Sequence, residues 1–515
     1  MLIDNLLNPA VYPHRVKKVR LVETHISWVL LAGRYAYKIK KPVNLQFLDF
    51  TNLSARRFFC EEEIRLNRRF APQLYLGVVG IGGSPEHPEF NAEPAFEYAV
   101  KMKRFAAKKG LDLLLANHKL QPVYLDEFAV NLAGFHQHLP CSLPEQQYGS
   151  PEVIAAIAQQ NFSQLRTLIN ANDNDFLTGL ETACKLEYQA CLEVFKNRRE
   201  TGFIRECHGD LHLGNLTLLK QTPLAFDSLE FDANLRWIDV INEVAFLVMD
   251  LQYHDRLDLA YRFLNAYLEQ CGDYPGLAVL RYYMANRAIV RGKIAALSAS
   301  FADKNLKYAE LKRYLDLAAL ILKPAKPLLI ICHGLPGCGK TSVAQHLLET
   351  LPAIRLRSDV ERKRLFGLSA QQASQGEIYS EDATRQTYAR LLQQAAALLK
   401  LGYNVIVDAA FLKHLERQAF MKMAAEMAAT FVILSIHAEP QQLQQRILQR
   451  QILQNDASEA NLEVLAKLSG CQEALQTDEL GYVINYTNNG SLADLANDQS
   501  LLKQIRQMDV MISQP

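Results

Sequence analysis

The chain has no C-x-x-C pair: its nine cysteines, at positions 60, 141, 184, 191, 207, 271, 332, 338 and 471, are scattered and odd in number. Such spacing excludes a disulfide framework and the usual zinc sites, and it fits a reducing, cytoplasmic setting. An excess of charge is lacking too, with 56 Lys and Arg against 55 Asp and Glu. With no long basic tail or basic amphipathic helix, a dedicated nucleic-acid or membrane-surface protein is not expected. One local bias, 18 Lys and Arg against 10 Asp and Glu over residues 1–110, reads as a solvated face plus lysines serving an anionic ligand. No basic n-region with a long apolar run opens the sequence, and Pro and Lys interrupt the apolar stretch around 317–331 before it reaches bilayer length. Neither export nor a membrane span is expected. Short internal repeats and low-complexity tracts are absent as well, since the Gln-rich run Gln441–Gln454 keeps a helical Leu/Ile pattern.

A length of 515 residues exceeds what one hydrophobic core supports and suggests two or three domains. From Ile26 to Lys40 the pattern predicts a hairpin, Ile26–Leu31 and Tyr35–Lys40 about a Gly33-Arg34 turn. Ser54 to Phe70 is helical in composition, with Phe59, Leu66 and Phe70 on one stripe, and Tyr75–Ile81 and Phe96–Met102 read as strands. Helical periodicity dominates residues 111–200 and 233–322, on either side of a strand-and-loop section from Ile204 to Phe231. Lys323-Pro-Ala-Lys-Pro327 ends the last of these helices, because proline removes a donor and disfavours helix in the residue before it. Beyond it, Leu328–Cys332, Ile354–Arg357, Asn404–Val407, Phe431–Ile436 and Tyr482–Asn485 are strand runs alternating with helices, which implies a parallel sheet with crossover helices. The domains expected are 1–323, with a small lobe to about 105 and a helical lobe beyond it, and 328–515.

Two constellations carry chemistry. In the first, Asp210 and Asn215 are five apart and Asp227 follows an apolar strand, the spacing of the protein-kinase catalytic loop and its metal-binding aspartate. One carboxylate orients or accepts the proton of a substrate hydroxyl, while an amide oxygen and a second carboxylate hold Mg²⁺. Ala36-Tyr-Lys38 has the form of the strand lysine that contacts α/β-phosphates, and the 54–70 helix offers its partner. Glu63 lies on the apolar stripe of that helix, with Glu62 a close second. The run Cys207-His-Gly-Asp-Leu-His-Leu-Gly-Asn215 with Leu224-Ala-Phe-Asp227 resembles the aminoglycoside phosphotransferase and choline kinase group of kinase-like enzymes. Over residues 20–300 the resemblance implies Asp210 as catalytic base, Asn215 and Asp227 as Mg²⁺ ligands and Lys38 on the nucleotide phosphates. It also suggests Glu97-Tyr-Ala-Val100 as the hinge and Asp239 as a brace for the catalytic loop. Two departures stand out: no G-x-G-x-x-G covers the phosphates, and Phe-Asp-Ser replaces D-F-G. His208 reads as a structural hydrogen-bonding residue and His212 receives no role.

In the second constellation, Gly334-Leu-Pro-Gly337-Cys338-Gly339-Lys340-Thr341 follows a strand and precedes the helical run from Ser342. That context makes a phosphate-binding P-loop. Glycines let the backbone N–H groups of the loop, from Gly337 through Ser342, converge on phosphates; Lys340 bridges β- and γ-oxygens and Thr341 offers its hydroxyl to Mg²⁺. Cys338 reads as a loop residue rather than a nucleophile. Asp359, in Arg357-Ser-Asp-Val-Glu-Arg362, follows the second strand where a carboxylate can meet an acceptor hydroxyl, with Arg362 one turn away. Asp408 ends an apolar strand as a metal-shell or substrate residue, and Arg446 and Arg450, four apart on a helix, can close over a transferred phosphate or remain a solvated face. Residues 328–490 resemble the P-loop kinase group of zeta toxins, gluconate kinases and polynucleotide kinases, matching at the loop, at Ser358-Asp359 and at Asp408. That resemblance implies Asp359 as base. The order of the halves resembles bacterial proteins described as bifunctional aminoglycoside phosphotransferase/ATP-binding proteins.

The expected architecture is therefore an α+β protein-kinase-like, aminoglycoside phosphotransferase-like bilobal domain followed by an α/β P-loop NTPase domain with a parallel sheet. The expected function is an ATP-dependent phosphotransferase with two nucleotide sites, each moving a γ-phosphate to a hydroxyl of a small-molecule acceptor, with ATP or another NTP and Mg²⁺ as cofactors. The alternative is a P-loop kinase or ATPase regulated by an inactive, nucleotide-sensing kinase-like lobe. No membrane partner is expected, and nucleic acid enters only as a polynucleotide end for the P-loop half. Acceptors and oligomeric state are left open. Cutting within Lys323–Pro327 is expected to give two soluble fragments that each bind nucleotide.

Overall fold

Alternating apolar residues in the first hundred positions pair as six antiparallel strands: β1 (Val19–Glu23), β2 (Ser27–Ala32), β3 (Tyr35–Lys40), β4 (Tyr75–Gly83), β5 (Pro88–Phe90) and β6 (Glu97–Lys103), in the order β1-β2-β3-β6-β4-β5. In the computed structural model the residues described are 2–44, 48–297, 303–370, 372–374, 377–453 and 457–513. Gln454, at the end of the Gln-rich run, lies outside them. The β2–β3 hairpin turns at Gly33, where φ is +60°, so that Ala32 pairs with Tyr35 and Val29 with Lys38. Beneath the sheet runs the helix Leu53–Asn67, capped by the Asn52 side chain, which accepts from Ala55 N–H.

The buried face of this helix differs from the expected Phe59/Leu66/Phe70 stripe. Arg56, Cys60, Glu63, Ile64, Leu66 and Asn67 point inward, and ion pairs and hydrogen bonds compensate the polar ones. Arg56 Nε lies 2.9 Å from Glu97 Oε1, and Asn67 Oδ1 accepts from Ser228 N–H. Apolar periodicity misled because charged residues are buried wherever they are paired. Glu97–Val100, suggested as a hinge, lies inside β6 with β3 and β4 on either side. The chain leaves the sheet only after Lys103.

The rest of this unit is mainly helical, with Pro151–Leu165, Asn174–Glu200, Val240–Tyr253 and Lys304–Ile321 among its helices. Two short ribbons are set among them: β7 (Ile204–Glu206) with β10 (Trp237–Asp239), and the hairpin of β8 (Leu216–Leu219) and β9 (Thr222–Ala225). These ribbons frame the loop 207–215 and deliver Asp227 just past β9.

The second unit holds a five-stranded, wholly parallel sheet of β11 (Leu328–His333), β12 (Ala353–Arg357), β13 (Asn404–Asp408), β14 (Thr430–His437) and β15 (Val483–Thr487), in the order β12-β13-β11-β14-β15. Every strand predicted here is present within a residue or two of its expected bounds. The near-continuous apolar run Leu328–Cys332 is buried on both faces, as parallel strands are when helices cover them. Because β11 is central, with β13 and β14 on either side, the sheet has its switch point at the carboxyl end of β11.

The first compact unit comprises Met1–Phe128, His138–Tyr253 and Val279–Leu322, and the second Ala129–Gln137, His254–Ala278 and Lys323–Pro515. The segment 254–278, which the sequence reading grouped with the first half, thus belongs to the P-loop unit. Its helix Leu257–Cys271 covers the edge strand β12. Asn265 Nδ2 donates to Ala353 O at 2.9 Å and its Oδ1 accepts from Arg355 N–H at 2.7 Å, which satisfies backbone groups that an edge strand would leave exposed. Among the described residues no helix is long and apolar enough to cross a membrane.

Candidate active sites

In the first unit β3 places Lys38 and Lys40 on one face, two residues apart. Lys38 Nζ lies 3.0 Å from Glu63 Oε1 and 2.5 Å from Asp227 Oδ1. Between the two candidate glutamates the geometry selects Glu63, whereas Glu62 pairs with Arg65 at 2.8 Å. Burial by itself would lower the Lys38 ammonium, but the neighbouring Asp227 and Glu63 charges reverse this and hold it well above its ordinary value. For Glu63 burial pushes up, and the Lys38 and Lys40 charges overcome it and hold the carboxyl below its ordinary range. Asp227 sits at φ +65°, and its N–H donates to the Tyr75 hydroxyl at 3.0 Å.

The loop 207–215 brings Asp210 and Asn215 together. Asn215 Nδ2 donates to Asp210 Oδ2 at 3.0 Å and to Asp210 O at 2.9 Å, and His212 Nε2 lies 3.5 Å from Asp210 Oδ2. Both side-chain contacts fall on Oδ2. Burial raises the Asp210 carboxyl, but the His212 and Arg291 charges outweigh it and hold the group well below the ordinary carboxylate range. His208 is buried and structural: its Nδ1 accepts from Asp210 N–H at 3.3 Å, which puts the proton on Nε2, 2.9 Å from Phe226 O. Its ring therefore joins the loop 207–215 to Phe226, the residue before Asp227. Asp239 does not brace this loop; it pairs with Arg198 at 2.7 Å. The brace is Glu243, whose two oxygens accept the N–H groups of His208 and Gly209 at 2.8 Å each, helped by Asp250 on Leu213 N–H at 2.9 Å. No sequence signal marked Glu243, whereas Lys40 could have been found from the K-x-K alternation on β3.

In the second unit the P-loop leaves β11 at the switch point and enters the helix Lys340–Thr350 with Gly339 at its cap. Gly339 has φ +93°, and a Cβ there would stand 2.1 Å from Asn488 Nδ2, so only glycine fits. Asn488 in turn donates to Cys338 O at 2.9 Å and pins the loop. The Cys338 side chain is buried among core residues, which leaves only its backbone for a ligand. Lys340 Nζ folds back on Gly334 O and Leu335 O, 3.0 Å from each. Gly337 O meets Arg446 Nη1 at 3.5 Å, so Arg446 reaches the loop. Arg450 instead donates to Ala460 O at 2.7 Å. Thr341 and Ser342 form the first turn of the helix.

Asp408, at the end of β13, is buried. Its Oδ2 has no hydrogen-bond partner and lies 3.7 Å from Arg357 Nε, while Thr341 hydrogen-bonds the carboxylate. Burial raises its pKa against the opposing Arg357, Arg355 and Lys340 charges. An orphaned carboxylate oxygen beside the P-loop threonine fits a hydrated divalent cation. Asp359 is half-buried in the first turn of the helix Ser358–Leu365. Arg362 Nη1 is committed to Ile378 O at 3.0 Å and Thr384 Oγ1 at 3.1 Å. The sequence reading also missed Glu269, on the helix Leu257–Cys271, which holds Arg355 at 2.5 Å and Arg357 at 3.4 Å.

The first unit thus has a kinase-like bilobal fold and the second a P-loop fold. A family described as an AAA domain matches residues 329–475. Among solved structures, an aminoglycoside 2'-phosphotransferase-IIIa in its GDP complex is 15% identical, covering 62% of this chain and 98% of that one at a TM-score of 0.38. A gluconokinase from Sinorhizobium meliloti is 16% identical, covering 36% and 97% at a TM-score of 0.27. The Mycobacterium tuberculosis protein Rv2004c is 30% identical over 456 residues, 87% of this chain and 89% of its own length, and Mb2027c of Mycobacterium bovis matches to the same extent. Since that identity extends over 87% of this chain, the chain belongs to the family of these mycobacterial proteins.

Proposed function

We propose that the protein is an ATP-dependent phosphotransferase with two nucleotide sites, each passing a γ-phosphate to a hydroxyl of a small-molecule acceptor. The observation that carries this reading is that Lys38 pairs with Glu63 and Asp227 beside the loop of Asp210 and Asn215, while in the second unit Lys340 and Thr341 open the helix that follows the glycine loop, with the Asp408 carboxylate hydrogen-bonded by Thr341. In the first, Lys38, positioned by Glu63, engages the α/β-phosphates, and Asp210 orients and deprotonates the acceptor hydroxyl through Oδ1. Asn215 and Asp227 would hold Mg²⁺, Asp227 first exchanging its Lys38 partner. In the second, the loop amides and Lys340 cradle the phosphates, Arg446 closes on the loop and Asp359 is the base. Thr341 and Asp408 would hold the metal there. Mg²⁺ neutralises charge on the β- and γ-oxygens when bound. Transfer depends on the amino-acid groups for position and for the proton, because the phosphoryl transition state asks for little else.

The test is label transfer from γ-labelled ATP to a panel of sugars, sugar acids, amino alcohols and aminoglycosides, using the full chain and its Asp210→Asn and Lys340→Ala variants. Each variant should lose a different subset of products. A chain that hydrolyses ATP but labels no hydroxyl compound, with hydrolysis lost only in Lys340→Ala, would instead support a P-loop ATPase governed by an inactive first lobe.

A further inference from the structure

Lys40 is fully buried and its ammonium is spent on two carboxylates. Its Nζ lies 2.9 Å from Glu63 Oε2 and also donates to Glu230. Glu63 is therefore gripped on both oxygens, by Lys38 on Oε1 and by Lys40 on Oε2, and is itself fully buried. Glu230 lies three residues beyond Asp227 and is buried as well. An unbroken chain of charge results, Asp227–Lys38–Glu63–Lys40–Glu230, with two ammonium groups among three carboxylates.

This chain has a consequence for nucleotide binding. In the arrangement observed, Lys38 occupies Asp227 Oδ1, so that oxygen becomes available to a metal only if those two groups part. An ammonium has three donors, so Lys38 can turn from Asp227 to a phosphate while keeping its hydrogen bond to Glu63. With Lys40 on its other oxygen, Glu63 stays paired throughout. Lys40 also ties β3 to the segment that carries Asp227, through Glu230, so Asp227 keeps its place after Lys38 releases it.

Resting on the nucleotide-site reading above, we propose that Lys40, acting with Glu230, is a positioning residue of the first site. It fixes Glu63 and the Asp227 segment so that the carboxylate of Asp227 is presented to the metal of a magnesium nucleotide. Lys40 contacts neither nucleotide nor acceptor and works through Glu63 and Glu230.

The experiment measures nucleotide affinity of the full chain carrying Lys340→Ala, which removes the lysine of the second site, with MgATP and with ATP in excess chelator. The Lys40→Met and Lys40→Arg variants are compared in that background. Lys40→Met should weaken MgATP binding about tenfold or more, change metal-free ATP binding less than about threefold, and be largely restored by arginine. A merely structural role would lower both affinities together. If Lys40→Met does not fold, Glu230→Gln, which keeps side-chain volume, carries the same comparison. Equal MgATP affinity in parent and variant overturns the proposal. A parent that binds MgATP nowhere but at a site abolished by Gly339→Val overturns the nucleotide-site reading itself, and the proposal with it.

Discussion

In the proposed function Asp210 and Asp227 act on different partners, and substitution should separate them. Asp227→Ala would remove the proposed metal ligand, so Mg²⁺-dependent nucleotide affinity at the first site should fall by tenfold or more, on the order of 1.4 kcal/mol. Asp210→Asn should leave that affinity nearly unchanged yet abolish transfer to a hydroxyl, because the amide cannot take the proton. Calorimetric titration with MgATP alongside product labelling distinguishes the two, and equal loss of affinity in both would remove Asp210 from its role as base. At the second site Lys340→Ala should cost about 100-fold or more in turnover, read by ATP consumption in an Asp227→Ala background. Asp359→Asn should spare nucleotide binding and slow transfer to an acceptor. That Asp210 lies beside Asn215 and that Lys340 opens the helix after the glycine loop was legible from spacing: five residues from Asp210 to Asn215, and a glycine loop ahead of Lys340. Glu243 and Glu269 were not, since each reaches its partners across long sequence distances and no local pattern distinguishes a buried brace from an ordinary helix glutamate.

Strands and helices that bury an apolar face were legible almost to the residue, as β11 to β15 show. The helix Leu53–Asn67 was found but its inward face was misread, because Arg56, Glu63 and Asn67 are buried by pairing. That same helix makes a measurable acid response. Glu206 on β7 accepts from Arg65 at 2.7 Å and Arg69 at 3.1 Å, and although burial raises its carboxyl, these arginines bring it down to about 2 from 4.5. A depressed folded value means the stabilisation is complete above the ordinary glutamate range and is lost as pH falls from about 4.5 towards 2. Glu206→Gln should therefore lower the melting temperature at neutral pH, with the gap to the parent closing across that window. A gap that is constant with pH would show that the charge of Glu206 contributes nothing. In the second unit Glu269→Gln removes the carboxylate that holds the buried Arg355, and about 3–5 kcal/mol of stability should be lost by denaturant titration. A loss below about 1 kcal/mol would mean that water compensates this arginine.

On the scale of the whole chain, the Pro-rich stretch Lys323–Pro327 separates two constellations in sequence but not the two units, since residues 254–278 group with the P-loop fold. Composition could not reveal this, because an amphipathic helix looks the same whichever sheet it covers. A fragment beginning at Lys323 lacks Asn265 and Glu269, leaving the β12 edge bare and the buried Arg355 without its carboxylate partner. It should be less soluble and melt lower than one beginning at His254, and equal melting of the two would show the helix to be dispensable. There is also a consequence in time. The hydrogen bond from Asn265 to Ala353 spans 88 positions, so during synthesis the helix Leu257–Cys271 leaves the ribosome well before the strand it covers. At about 5–20 residues per second it waits roughly 4–18 s before Asn265 can meet β12, with Phe263, Leu264 and Leu268, buried in the finished protein, on the waiting helix. Slowing translation between the codons for residues 272 and 353 should lengthen that wait and raise the aggregated fraction of the nascent protein, whereas the same delay placed after residue 437, once β11 to β14 have been made, should not.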